Sequence, residues 1–260
     1  MIKKHKESFG KLLEIMDELR TKCPWDKEQT LESLRTLTIE ETYELADAII
    51  DNDLLEIKKE LGDILLHIVF YAKIGSEKGA FDISDVIEGI NKKLIYRHPH
   101  IFGDAKVSGA QEVLENWEKL KLKEKGGNKT VLQGVPKSLP ALIKAHRIQD
   151  KVRGVGFDWD ERDQVWEKVT EEINELEVEL KADSSSLNAE QEFGDLLFSL
   201  VNAARLYGIN PENALERTNM KFIKRFNYLE NKTIKQGIDL KTMPLKDMEK
   251  IWNEAKKITG

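Results

Sequence analysis

The sequence predicts an all-α protein built as two tandem bundles of four or five helices, and three observations carry that expectation. Apolar residues recur at the 3.6-residue helical period, the alternation of a strand is almost absent, and the chain repeats its own landmarks in order. The first helix shows in Phe9, Leu12, Leu13, Met16 and Leu19. After a break at 22–25, a second helical stretch carries EETYE at 40–44. Asp53 is placed to cap the next helix, whose apolar face runs through Leu54, Ile57, Leu61, Ile64, Leu65, Ile68 and Ala72. Further breaks fall at 75–80, 98–108 and 126–136. In the second half Pro211 follows Asn210 as a first helical residue should, and Pro244 opens the last helix in the same way.

The duplication is the most informative feature. EETYE at 40–44 matches EEINE at 171–175, and ELGDIL at 60–65 matches EFGDLL at 192–197. NKKLIYR at 91–97 matches NMKFIKR at 219–225, Trp117 with Lys121 matches Trp252 with Lys256, and Trp25-Asp26 matches Trp159-Asp160. The offset drifts only between 128 and 135 residues, as loop insertions would produce. The stretch GGNKTVLQGVP therefore separates the repeats: a first domain over 1–125, a linker over 126–136 and a second domain over 137–260.

Composition narrows the function classes. The 260 residues are 34% charged with a net charge of -6, so no basic field draws the chain onto nucleic acid or anionic lipid. The lysines at 119–125 are interrupted by acid at Glu124 and read as a solvated face. Cys23 is the single cysteine, which excludes an internal disulfide framework or a multi-cysteine zinc site. The N-terminus lacks the apolar core of a signal peptide, and no apolar run approaches membrane-spanning length. A cytoplasmic protein with no membrane or nucleic-acid partner is expected.

The chemistry lies in the acids. On a helix, Glu171, Glu172 and Glu175 fall within an arc of roughly 100°. Glu192 and Asp195 sit one turn apart on the next helix, beside Phe193, Leu196 and Leu197. The first repeat offers Glu40, Glu41, Glu44, Glu60 and Asp63. Most glutamates on helices face solvent, but like charges one turn apart beside a core repel one another. A bound divalent cation removes the conflict, and ligands that are all oxygen suit Mg²⁺ or Mn²⁺.

EETYE with ELGD, and EEINE with EFGD, resemble the EExxE…ExxD signature of the all-α nucleoside triphosphate pyrophosphohydrolases. With CPWDKEQT, YRHPHIFGD and GVGFDW, the duplicated chain is similar to the MazG family from about residue 8 to 258. The resemblance implies two tandem MazG-like bundles, a homodimer, Mg²⁺ dependence, and hydrolysis of nucleoside triphosphates to nucleoside monophosphate and pyrophosphate. It makes Glu171, Glu172, Glu175, Glu192 and Asp195 the catalytic set. Metal would be held by Glu172, Glu175, Glu192 and Asp195, and by a second, weaker set of Glu41, Glu44, Glu60 and Asp63. A charge count agrees: five carboxylates near -5 and a triphosphate near -4 cannot share a site without cations.

Lys168 shares the face of Glu171, and Lys221 and Arg225 form a cationic stripe on a later helix, so these three are the expected phosphate contacts. Trp252 is placed to stack on a base and Lys256 to hold phosphate. The position matching Lys168 in the first repeat is Leu37, although Lys93 and Arg97 match Lys221 and Arg225. The second repeat is therefore expected to do most of the catalysis. His98 and His100 read as a loop ending a helix, 126–129 lacks Walker A spacing, and 154–156 follows no strand. Two alternatives stand beside the hydrolase. A ferritin-like di-metal protein would need Glu-x-x-His, where this chain has Asp63 and Asp195. A non-catalytic nucleotide-sensing regulatory protein would not need intact acids in both halves.

Overall fold

A computed structural model describes residues 1–109, 112–113, 116–117, 120–121, 130–159, 161–235 and 237–259. They are helical with no strand among the described residues. The chain divides into two compact units, Met1–Val107 and Ser108–Gly260. Positions 126–129 of the expected linker, and most of the 119–125 lysine stretch, lie outside the described residues.

In the first unit α1 (Ile2–Lys22) and α2 (Pro24–Glu28) precede a long hairpin of α3 (Leu31–Asp51) and α4 (Leu54–Glu77). Thr30 and Ser33 cap α3 reciprocally, Ser33 N donating to Thr30 Oγ1 over 3.1 Å and Thr30 N to Ser33 Oγ over 2.9 Å. Asn52 ends α3 in the left-handed region at φ 55°, a conformation that asparagine tolerates. Asp53 then caps α4 as its sequence position requires, accepting from Leu55 N and Glu56 N at 2.9 and 3.1 Å. Two residues thus reverse the chain, and α3 and α4 pack along each other. Met16, Leu34, Val69, Phe70 and Ile74 form the core, with Leu13, Leu37 and Leu66 packed against it.

α4 runs through the break expected at 75–80 as far as Glu77. The reason is contact: a Cβ on Gly75 would stand 2.7 Å from the Phe81 ring and 2.9 Å from its carbonyl oxygen. Glycine is there for close approach and not for a turn. α5 (Ile83–Arg97) and the short α6 (Pro99–Phe102) complete the unit. His98 ends α5 with Nδ1 2.6 Å from Leu94 O, the helix-ending place its sequence suggested.

The second unit repeats the hairpin. α7 (Ala141–Arg153) and a 3₁₀ turn at Arg162–Gln164 lead into α8 (Val165–Asp183) and α9 (Leu187–Leu206). Ser186 caps α9, accepting from Ala189 N over 3.1 Å. α8 and α9 pack together around Val165, Val169 and Ala203, with Leu196 and Leu206 alongside. α10 (Pro211–Lys235) begins at its proline, and Asn210 Oδ1 accepts from Asn213 N over 3.0 Å. α11 (Leu245–Thr259) starts one residue after Pro244 and buries Ile251 and Ala255. α10 packs on α7 and α11, while α7 also packs on α9. Among the described residues no helix is long and apolar enough to cross a membrane.

Candidate active site

Each hairpin brings three carboxylates together across its seam. In the second unit, oxygens of Glu172 from α8 and of Glu192 and Asp195 from α9 lie within 4.8 Å of one another. In the first, Glu41 from α3 and Glu60 and Asp63 from α4 do the same. The spacing explains the convergence: residues three apart on one helix share a face, and antiparallel packing sets that face against the acids of the other. Glu60 is 0% exposed and Glu172 6%.

The two clusters are balanced differently. Lys168, one turn before Glu172 on α8, pairs with Glu171 at 3.0 Å and with Glu172 at 2.8 Å, and these two carboxylates raise its pKa. In the first unit the cation comes from the other helix: Lys59 on α4 pairs with Glu56 at 2.6 Å and Glu60 at 2.8 Å. That ammonium holds the Glu60 carboxyl below its usual range. Even so, Glu60 Oε2 is shut off from solvent with no hydrogen-bond partner. Glu41 is pushed up, first by burial and then by Asp63, Glu44 and Glu60. Glu192 is pushed up by burial and by Glu175, Asp195, Glu172 and Glu179. An orphaned carboxylate oxygen and two carboxyls resisting ionisation mark sites short of positive charge, and an all-oxygen donor set fits a hard divalent cation. Both clusters could hold one.

The remaining expected site residues fall into two groups. Glu175 lies one turn beyond Glu172, close enough to act on Glu192, whereas Glu171 is exposed and engaged with Lys168. Lys221 and Arg225 lie on α10, Trp252 and Lys256 on α11. Trp252 is half-buried and packs on Phe222, ring centroids 4.9 Å apart. Glu40 and Glu44 are exposed on α3, and Lys93 is exposed on α5.

Sequence reasoning missed the cavity beside the second cluster. About 610 Å³ in volume, it is lined by Lys168, Glu172 and Asp195 together with apolar groups such as Val152, Phe157 and Phe198. Lys221, Arg225, Trp252 and Lys256 are not among its lining. Its polar groups include Gln149, Asn202 and Arg205. Gln149 Nε2 donates to Phe198 O over 2.8 Å, while its buried Oε1 has no partner. One signal was available in the repeat. At an offset of 131 or 132 residues, Lys168, Phe198 and Asn202 correspond to Leu37, Leu66 and Phe70. All three of those pack in or against the core of the first unit. Where one repeat has a cavity, the other has packed hydrocarbon.

Comparison with known proteins finds one domain twice in the chain. Residues 29–102 and 161–229 each match the MazG nucleotide pyrophosphohydrolase domain. The chain is 42% identical over 255 residues to the nucleoside triphosphate pyrophosphohydrolase of Escherichia coli K12, covering 96% of this chain and 97% of that one. It is 43% identical over 251 residues to the nucleoside triphosphate pyrophosphohydrolase/pyrophosphatase MazG of Thermotoga maritima, covering 95% of each. An uncharacterized Bacillus subtilis protein, YabN, is 47% identical over 95% of this chain and 51% of its own length.

The charge crowding at Glu192 gives a measurable outcome. Glu192→Gln removes one repelling carboxylate from the seam, so the metal-free variant is expected to melt at a higher temperature than the parent near neutral pH. A lower midpoint in the presence of chelator would show that Glu192 contributes packing or hydrogen bonding that outweighs the repulsion.

Proposed function

Because the chain belongs to the MazG nucleotide pyrophosphohydrolase family, we propose that it hydrolyses ribo- and deoxyribonucleoside triphosphates to nucleoside monophosphate and pyrophosphate, with Mg²⁺ as its metal and Mn²⁺ as a substitute. One observation carries the reading: in the second unit two members of a three-carboxylate cluster, Glu172 and Asp195, stand on the wall of a largely apolar cavity of about 610 Å³, a size that suits a small ligand. The cavity takes the nucleoside and the carboxylate end takes the phosphates.

Glu172, Glu175, Glu192 and Asp195 hold the metal, and Glu41, Glu44, Glu60 and Asp63 form a second, weaker set. Bound there, Mg²⁺ supplies Lewis-acid polarisation of phosphate oxygens and a more acidic water. The chain's part is to orient and to move a proton: a carboxylate left beside the water, within the set that includes Glu171, accepts the proton as the water attacks the α-phosphate. Lys168 lies at the junction of cavity and carboxylates, where an ammonium neutralises charge on the leaving pyrophosphate. Lys221, Arg225 and Lys256 are assigned to outer phosphate oxygens and Trp252 to stacking on the base, which asks α10 and α11 to close toward the cavity.

We assign the working site to the second domain, taken as 137–260. Leu37, Leu66 and Phe70 fill the corresponding space in the first, so its carboxylates bind metal without a seat for the nucleoside. We place the protein in the cytoplasm, in control or cleansing of the nucleotide pool. We further propose a homodimer. Leu61, Leu65 and Ile68 on α4 form an exposed apolar stripe, and the matching residues of the other repeat, Phe193, Leu197 and Leu200 on α9, form another. Apolar stripes at helical spacing fit a second copy of the chain.

Chromatography of the reaction with Mg²⁺ should give monophosphate and pyrophosphate as first products. Diphosphate with orthophosphate would overturn the reading. Glu172→Gln should lower turnover at least a hundredfold, as roughly 3 kcal/mol of lost transition-state stabilisation demands, while Glu41→Gln keeps most of it. Equal losses would move catalysis into both units. Light scattering at micromolar concentration should return twice the mass of the chain, and an active monomer would remove the dimer.

A further inference from the structure

Asn202 stands on α9 seven residues beyond Asp195, where it lines the cavity half-buried. Its amide has one orientation. Arg205 donates to Asn202 Oδ1 from Nε at 3.0 Å and from Nη2 at 2.8 Å. Arginine has no acceptor, so the oxygen must face it and the amide nitrogen must face away. Arg205 is itself buried and held by Asp158, Nη1 donating to Asp158 Oδ2 over 3.0 Å and Nη2 to Oδ1. Asp158 thus fixes Arg205 and Arg205 fixes Asn202. Among the described residues no protein group accepts a hydrogen bond from Asn202 Nδ2.

A donor so locked on the wall of an apolar cavity is a recognition element: its rotamer is set before any ligand arrives, so little ordering entropy is lost on binding. We propose that Asn202 Nδ2 donates a hydrogen bond to an acceptor on the nucleoside of the substrate, a base ring nitrogen or a sugar oxygen. Asp158 and Arg205 act as its positioning residues. The inference rests on the nucleoside triphosphate reading above and adds the residue that reads the nucleoside. The first repeat has Phe70 at this position, with no donor to offer.

The test deletes one acceptor at a time. Pyrophosphate release by the full chain is followed with ATP, with its 1-deaza, 3-deaza and 7-deaza forms, and with 2′-deoxy- and 3′-deoxy-ATP. One analogue is expected to lose about tenfold in kcat/KM, mostly through KM, which is the size of one neutral hydrogen bond. A deaza analogue would identify the base and a deoxy analogue the sugar. In Asn202→Asp, which keeps the shape and the Arg205 pairing but lacks the donor, that ratio should fall to about one while the other ratios hold. Asn202→Leu serves the same cycle without an added charge. Asp158→Asn, which keeps the donor and loosens its support, should leave a ratio of about threefold. If the wild type discriminates against none of the analogues, or if the ratio survives in Asn202→Asp and Asn202→Leu, the proposal is overturned. Absence of pyrophosphate release from ATP by the wild type would instead overturn the nucleoside triphosphate reading itself.

Discussion

Carboxylates sealed into a helix–helix seam are the constraint on which either unit turns. Glu60 and Glu172 are ionisable groups placed where water cannot reach them well; Glu172 faces Glu192 and Asp195 across its hairpin, and Glu60 faces Glu41 across its own with Asp63 beside it on α4. Burial of a carboxylate is unfavourable unless a partner offsets it, and one lysine per cluster leaves a deficit of positive charge. The apolar packing of α3 on α4 and of α8 on α9 must therefore hold the hairpin closed against its own electrostatics. The capped reversals help by fixing the register: Asn52 and Asp53 in one unit and Ser186 in the other decide which turns of the paired helices face each other. A shift of one residue in either helix would turn the acids about 100° away from the seam.

Duplication makes the chain its own comparison. Both hairpins keep the acids, but the surroundings have diverged in opposite directions. Around the second cluster, Lys168, Phe198, Ser199 and Asn202 leave a cavity. At the matching positions the first unit has Leu37, Leu66, His67 and Phe70, which fill the space. His67 is buried there, and that burial lowers its imidazole pKa. The countercharge has also moved, from α8 in one repeat to α4 in the other. Lys59 stands where the second repeat has Gln191. One half has a cavity beside its acids, and the other has core packing around Met16, Leu34 and Phe70 at the matching positions.

The fold was legible because its signals are local. Helical periodicity, the Asp53 cap and Pro211 depend on neighbours a few residues away, and the structure reproduces each. The convergence of Glu172 with Glu192 and Asp195 was legible for a related reason: fixed helical spacing plus a short connection leaves few ways to pack. The cavity was not. It is made by what is missing between α7, α8 and α9, and absence of packing has no residue signature. Gln149 and Arg205 sit on helices joined by no short turn, so their approach depends on tertiary geometry. Gly75 failed to signal its role for the same reason, since the demand for a bare backbone comes from the Phe81 ring on the other side of a turn.

The Lys168 pairing has a consequence for the order of events at the site. Its ammonium stands 2.8 Å from Glu172, a carboxylate that the proposed metal would also use. On the proposed metal reading, lysine and cation would compete for one seat, and loading the seam would release a flexible four-carbon arm bearing a full positive charge. Lys168 also lines the cavity, so an arm released from Glu172 would stand beside the proposed phosphate position. Under the proposed function, metal uptake and creation of a phosphate receptor would be a single exchange. A preference for metal-complexed over free nucleotide would then follow from one side chain's change of allegiance.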